Sequence, residues 1–181
     1  LFVEKVDLQK INFPNTENIV VMNVECGKVI IELLPNLSPN SVERFKFFIS
    51  NGYYDGSAFY RVIKDTLIQA GDLEYGNIEN IDYYRVGSGK SNLGLINSEI
   101  NNEFEFKAGS IGLVRDDVFN TEDSEFFITL KDVPLFKGEY TPIGKVIYGL
   151  DALAKIKSSD KTEYVLRPDY LSDFKLLEQY N

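Results

Sequence analysis

Residues 59–72, Phe-Tyr-Arg-Val-Ile-Lys-Asp-Thr-Leu-Ile-Gln-Ala-Gly-Asp, constrain the fold most. They alternate as a strand does, carry one arginine, turn at Lys64-Asp65, and resume as a second short strand ending in Gln69-Ala70-Gly71-Asp72. The rest of the chain repeats this economy of length. Residues 19–25 read as a β-branched strand, Cys26-Gly27 punctuates it, and residues 28–34 return, so the two form a hairpin. Residues 110–114, 126–130 and 142–147 are further short strands, with 164–166 and 171–177 expected to follow. Helical spacing occurs twice. Val42, Phe45, Phe48 and Ile49 mark one helix, with Ser38 as its expected N-cap, Pro39 at its first position and a stop at Asn51-Gly52. Leu150, Leu153, Ala154 and Ile156 mark the other. Many short strands with Gly and Pro turns and only two helices predict a mainly β barrel or sandwich.

The length suits one domain, with residues 1–18 as an N-terminal extension of at most one strand and 19–181 as the domain itself. A net charge of −9 argues against nucleic acid or an anionic membrane as the main partner. No apolar run approaches the roughly 20 residues a membrane span needs. Cys26 is alone, so no internal disulfide forms, and its place between strands predicts a small buried or turn residue. The chain has no histidine, which excludes Ser-His-Asp and Cys-His nucleophile systems and histidine-ligated metals. Residues 73–103 form a long polar connection containing Gly87-Ser88-Gly89-Lys90-Ser91. This run lacks the leading glycine of a phosphate-binding loop, Tyr84 standing in its place, and neither a strand before it nor a helix after it is expected.

The 59–72 stretch resembles the central signature of the cyclophilins, the cyclosporin-type peptidyl-prolyl cis-trans isomerases: Phe-His-Arg-(Ile/Val)-Ile, a turn, then an apolar pair leading to Gln-Gly-Gly-Asp or a close variant. Ser124-Glu125-Phe126-Phe127-Ile128-Thr129 is similar to the family's Ser-Gln-Phe-Phe-Ile, and Ile143-Gly144-Lys145-Val146 to its Phe-Gly-Lys-Val strand. The likeness runs from about Ile19 to about Ile156. It implies an eight-stranded antiparallel β-barrel capped by two α-helices. Gly52-Tyr53-Tyr54-Asp55-Gly56, Tyr140 and Arg115-Asp116 resemble bacterial members in particular.

The resemblance also implies a chemistry. The X-Pro bond turns over a barrier of roughly 18–20 kcal/mol set by amide resonance. In the twisted transition state that resonance is lost and the prolyl nitrogen can accept a hydrogen bond, so a fixed donor there binds the transition state preferentially. No nucleophile, metal or cofactor is needed. Arg61 falls on the family's donor arginine, Gln69 on the glutamine that helps hold it, Phe127 on a pocket phenylalanine and Leu67 on a pocket methionine. Other positions depart from the pattern. Thr66 replaces a phenylalanine that floors the proline pocket, a loss on the order of 1.5–3 kcal/mol of apolar burial, and Phe136, in place of leucine, is expected to refill part of the volume. Leu135 stands where tryptophan or phenylalanine makes cyclosporin contacts, so sensitivity to that drug is expected to be weak. Tyr140 replaces histidine, Glu125 replaces glutamine, and Arg115, Asp116 and Asp117 replace an Ala-Asn-Ala run lining the groove. Glu125, Asp116, Asp117, Glu122 and Asp123 are expected to pair with Arg61 or Arg115, or to select basic residues around the proline.

The expected function is therefore peptidyl-prolyl isomerase acting on proline-containing peptides or unfolded proteins, as a monomer. The alternatives are a cyclophilin-like module that binds proline peptides with little turnover, and an interaction scaffold with a vestigial groove. The chain starts at Leu1 rather than Met, compatible with a removed leader; a periplasmic location is favoured over a cytoplasmic one.

Overall fold

A computed structural model describes residues 6–180. Eight strands form one curled sheet: β1 (Ile19–Val24), β2 (Gly27–Leu33), β3 (Arg61–Ile63), β4 (Leu67–Ala70), β5 (Ser110–Leu113), β6 (Phe126–Thr129), β7 (Pro142–Tyr148) and β8 (Leu171–Leu176). Their order is β3-β4-β6-β5-β7-β2-β1-β8, and every ladder is antiparallel. The edges β3 and β8 do not share a ladder. The chain entering β8 crosses the gap instead: the Val62 amide donates to the Glu163 carbonyl, Val165 to Tyr60, and Phe59 to Asp169. The expected strand at 164–166 is thus a seam of single bridges, including Arg61 opposite Tyr164, rather than a ladder.

The period-2 pattern sorts side chains into rows. Val62, Ile68, Ile128 and Ile111 lie opposite one another on successive strands, and all four are buried in the main core. Helix α1 (Pro39–Ser50) covers one side of this core with Val42, Phe45, Phe48 and Ile49. Phe45 meets Phe126 and Phe174 edge-on, at 5.3 and 5.7 Å between ring centres. Helix α2 (Leu150–Ala154) begins after Gly149, whose φ of 92° few other residues adopt, and buries Ala152 and Leu153. Cys26 sits in the β1–β2 turn, partly buried against the core. Residues 6–18 hold two 3₁₀ turns, Leu8–Lys10 and Thr16–Asn18, and no strand; the first five residues of the expected extension lie outside the described residues. Among the described residues no helix is long and apolar enough to cross a membrane.

Ser38 does not cap α1. Its hydroxyl is buried and donates to the Pro142 carbonyl at 2.6 Å, which ties the helix start to β7. The cap comes from Glu99 in the long loop. Its carboxylate accepts from the Ser41 amide (2.7 Å), the Ser41 hydroxyl (2.6 Å) and the Asn40 amide (3.2 Å). A carboxylate there satisfies orphan amides and faces the positive end of the helix.

The same loop is held at its other end by Asp72. One carboxylate oxygen accepts from the amides of Glu74 (3.0 Å) and Tyr75 (2.9 Å), the other from Gly87 (2.7 Å) and Gly89 (3.1 Å). A Cβ on Gly89 would lie 1.9 Å from that carboxylate. The glycine-rich run therefore cradles an anion, but the anion is the chain's own Asp72.

Glu99→Ala should lower stability by about 1 kcal/mol, the typical worth of a lost helix cap. Urea unfolding measures this; an unchanged midpoint would mean that Glu99 contributes nothing to α1.

Candidate active site

The rows alternate with the pleat, and the row next to the core row faces outward. Arg61 lies opposite Gln69, Gln69 opposite Phe127, and Phe127 opposite Gly112. Cross-strand neighbours share a face, so three strands deliver Arg61, Gln69 and Phe127 side by side. They line a cavity of about 180 Å³ together with Leu67, Val114, Arg115, Phe136, Tyr140 and Tyr164. Its apolar wall is a cluster of three rings: Phe127 to Phe136 at 5.3 Å, Phe127 to Tyr140 at 5.2 Å and Phe136 to Tyr140 at 4.8 Å, all edge-to-face. Phe106 is buried behind them, 5.7 Å from Phe127 and 5.9 Å from Phe136. Gly112 makes room: a Cβ there would meet Phe127 at 2.4 Å.

Arg61 stands at the polar side. Its Nη1 donates to Gln69 Oε1 at 3.0 Å, and its Nε donates to Glu163 Oε2 at 2.7 Å, with Nη2 and the same carboxylate forming an ion pair. Behind Gln69 the network continues inward. Gln69 Nε2 donates to the Tyr60 hydroxyl, which donates to Glu125 Oε1. Tyr60, Gln69 and Glu125 are all buried. Burial pushes the Glu125 carboxyl up to about 7, with Asp72 adding to the rise while the Tyr60 hydrogen bond and Lys90 oppose it. Burial, reinforced by Glu125, holds the Tyr60 phenol far above its ordinary value, so it stays protonated. Arg115 lies across the groove with its guanidinium 4.3 Å from the Phe119 ring centre and 5.1 Å from that of Tyr140, its Nε donating to the Glu139 carbonyl.

Residues 19–175 match the family described as "Cyclophilin type peptidyl-prolyl cis-trans isomerase/CLD". The chain belongs to the cyclophilin family. A Brucella suis protein named "Probable peptidyl-prolyl cis-trans isomerase" is 38% identical over 157 residues, covering 86% of this chain and 80% of the relative. The fission yeast Schizosaccharomyces pombe has a peptidyl-prolyl cis-trans isomerase 30% identical over 151 residues, covering 78% of this chain and 90% of the relative. Among solved structures, a cyclophilin-type isomerase of Cryptosporidium parvum, crystallised in the presence of the dipeptide Ala-Pro, superposes with a TM-score of 0.75 at 26% identity, covering 87% of this chain and 98% of the other. This cyclophilin is accordingly a peptidyl-prolyl cis-trans isomerase with the mainly β, two-helix architecture of its relatives.

Its groove differs in detail from the sequence expectation. Arg61, Leu67, Gln69, Arg115, Phe127, Phe136 and Tyr140 converge on the cavity. Thr66 does not line it; its hydroxyl turns back to the Lys64 carbonyl within the β3–β4 turn. Leu135 is 86% exposed and also stands off the cavity. Asp116 and Glu125 border a separate small recess with Gly89 and Asp123, and Asp116 faces Lys90 at 3.5 Å. The carboxylates of Asp116, Asp117, Glu122, Asp123 and Glu125 do not pair with Arg61, whose carboxylate partner is Glu163, nor with Arg115, whose carboxylate partner is Glu139 at 3.4 Å; Arg115 reaches Asp116 only at its backbone carbonyl, 3.0 Å away. Asp123 instead binds the Ser91 amide and hydroxyl, with Arg44 3.5 Å away. Sequence reasoning missed Tyr60, Val114, Glu163 and Tyr164. Of these only Tyr60, standing at the histidine of the family's Phe-His-Arg, carried a local signal.

Gly112→Ala should displace Phe127, lower stability by about 1–3 kcal/mol as overpacking does, and weaken capture of a proline peptide. Denaturant unfolding and an NMR titration with an Ala-Pro peptide check both; unchanged peptide affinity would mean that the Phe127 wall is not where the ring binds.

Proposed function

We propose that Arg61 is the catalytic donor of this isomerase and that the three-ring wall receives the proline. The observation that carries the reading is the placement of a guanidinium and an aromatic wall on opposite sides of one small cavity, joined by Gln69 and Phe127 on adjacent strands. The proline ring packs against Phe127, Phe136 and Tyr140, which exclude water from the bond. Water exclusion strengthens any hydrogen bond made there. Glu163 takes the Nε side of the guanidinium and Gln69 one Nη1 N–H, so other N–H groups on the Nη atoms remain to point at the substrate. As the peptide twists, the prolyl nitrogen becomes a lone-pair acceptor and Arg61 donates to it. The planar ground state offers no such acceptor, so the bond favours the transition state selectively.

Arg61 is always charged and its fork is rigid, so little reorganisation accompanies the step. Its ion pair with Glu163 is half exposed and contributes at most about 1 kcal/mol to stability; its value is orientation. Proline-containing peptides are the substrate class. The Ala-Pro dipeptide used with the Cryptosporidium relative is of that class.

Arg61→Ala should reduce kcat/KM on the order of 100-fold, the scale of removing one preorganised donor, while the fold persists because the arginine side chain is partly exposed. NMR exchange between cis and trans forms of a short X-Pro peptide measures it. Unchanged turnover would place the donor elsewhere; peptide binding without turnover in the parent protein would favour a binding module.

A further inference from the structure

We infer that Tyr60 and Glu125 are positioning residues for catalysis: the buried Glu125 carboxylate sets the direction of a hydrogen-bond chain that runs through Tyr60 and Gln69 and ends by orienting Arg61. The inference rests on the donor role of Arg61 proposed above.

The direction follows from donor and acceptor inventory. A guanidinium only donates, so Gln69 must turn its amide oxygen to Arg61 Nη1. The NH2 end of Gln69 then faces the Tyr60 hydroxyl, which must accept from it. The phenol proton has one remaining course, to Glu125 Oε1. The two inner links, Gln69 to Tyr60 and Tyr60 to Glu125, are buried, so no water can substitute when one is reversed, while the outer link to Arg61 is partly buried. An ionised carboxylate accepts only, and it locks the sequence from its inner end. A protonated Glu125 can donate to the phenol instead. The phenol proton is then free to turn to Gln69, the amide flips, and an NH2 group meets the guanidinium. Two donors face each other and Arg61 loses its support.

Several groups face Glu125. Tyr60 approaches from the chain before β3, Gln69 from β4, Asp72 from the end of β4, and Lys90 from the long loop. Tyr54 also feels its charge, and Arg115, Asp116 and Asp123 border the same recess. Burial and Asp72 hold the carboxyl near 7, where the chain has no histidine to titrate in its place. The ionised form is the positioning form, so activity should rise with pH through about 7.

The test is the NMR exchange assay from about pH 5.5 to 8.5, on the parent protein, Tyr60→Phe, Glu125→Gln and Arg61→Ala. The parent should show a rising limb near pH 7, matched by titration of the Glu125 carboxyl carbon. Glu125→Gln should be flat across that range. Tyr60→Phe keeps the ring volume but breaks the chain; it should be flat and lower in kcat by roughly tenfold at high pH, with KM little changed because the aromatic wall is intact. A flat parent profile would overturn the inference without recourse to any variant. So would a limb that persists unchanged in both Glu125→Gln and Tyr60→Phe. If Arg61→Ala kept full turnover, the donor reading itself would fail and the inference with it. Loss of activity in Arg61→Ala alone, with both other variants like the parent, would overturn the inference and leave the donor reading standing.

Discussion

The antiparallel register that sets Arg61 opposite Gln69 and Gln69 opposite Phe127 is held from behind by the row Val62, Ile68 and Ile128. Each of these apolar side chains is almost wholly buried, worth about 1.5–3 kcal/mol apiece by removal from water. A slip of one residue would exchange the rows, exposing the apolar set and burying Arg61. The main core thus specifies the site from behind, while Leu67 and Phe127 of the site belong to a second, smaller buried cluster with Phe106. Short strands suffice because β4 is paired on both sides, to β3 and to β6.

A second constraint is polar. The cyclophilin barrel is open between β3 and β8, and the seam that crosses it consists of backbone bonds from the segment around 163–171. That seam brings Glu163 and Tyr164 onto the arginine. On the other side of the groove, buried carboxylates do structural work through backbone amides: Asp72 gathers four of them and Asp123 holds Ser91. Among the described residues no buried side-chain polar atom lacks a partner. In a low-dielectric interior such completeness is what keeps a polar arrangement unique, since any half-satisfied alternative leaves a costly orphan. Net acidity therefore coexists with an uncluttered Arg61: much of the negative charge near the groove is already engaged with amides, hydroxyls or cations.

The substitution of Thr66 illustrates how position modifies composition. A small polar residue in the β3–β4 turn bonds to the turn itself and leaves the cavity to others. Phe136 closes on Phe127 and Tyr140, and Phe106 backs them, so the wall is aromatic despite the loss of one ring at Thr66. Phe106 arrives from a loop with no strand or helix of its own, and nothing in its local sequence marks it as part of a wall.

Local order was legible in the residues. The alternation of β-branched and polar positions, the 3–4 spacing of α1 and the turn glycines each report on neighbours a few residues away, where steric and solvation preferences act directly. Arg61 and Gln69 were singled out by the resemblance of residues 59–72 to the family signature, and their hydrogen bond lies within one hairpin, eight residues apart. What the tertiary structure alone decided were polar partners distant in the chain. Tyr60 meets Glu125 across 65 residues, Arg61 meets Glu163 across 102, and α1 takes its cap from Glu99, 58 residues beyond Ser41, rather than from the adjacent Ser38. Such pairs have no periodicity. A carboxylate can bond any donor that the packed core brings within reach, and which donor that is depends on the closed shape of the sheet.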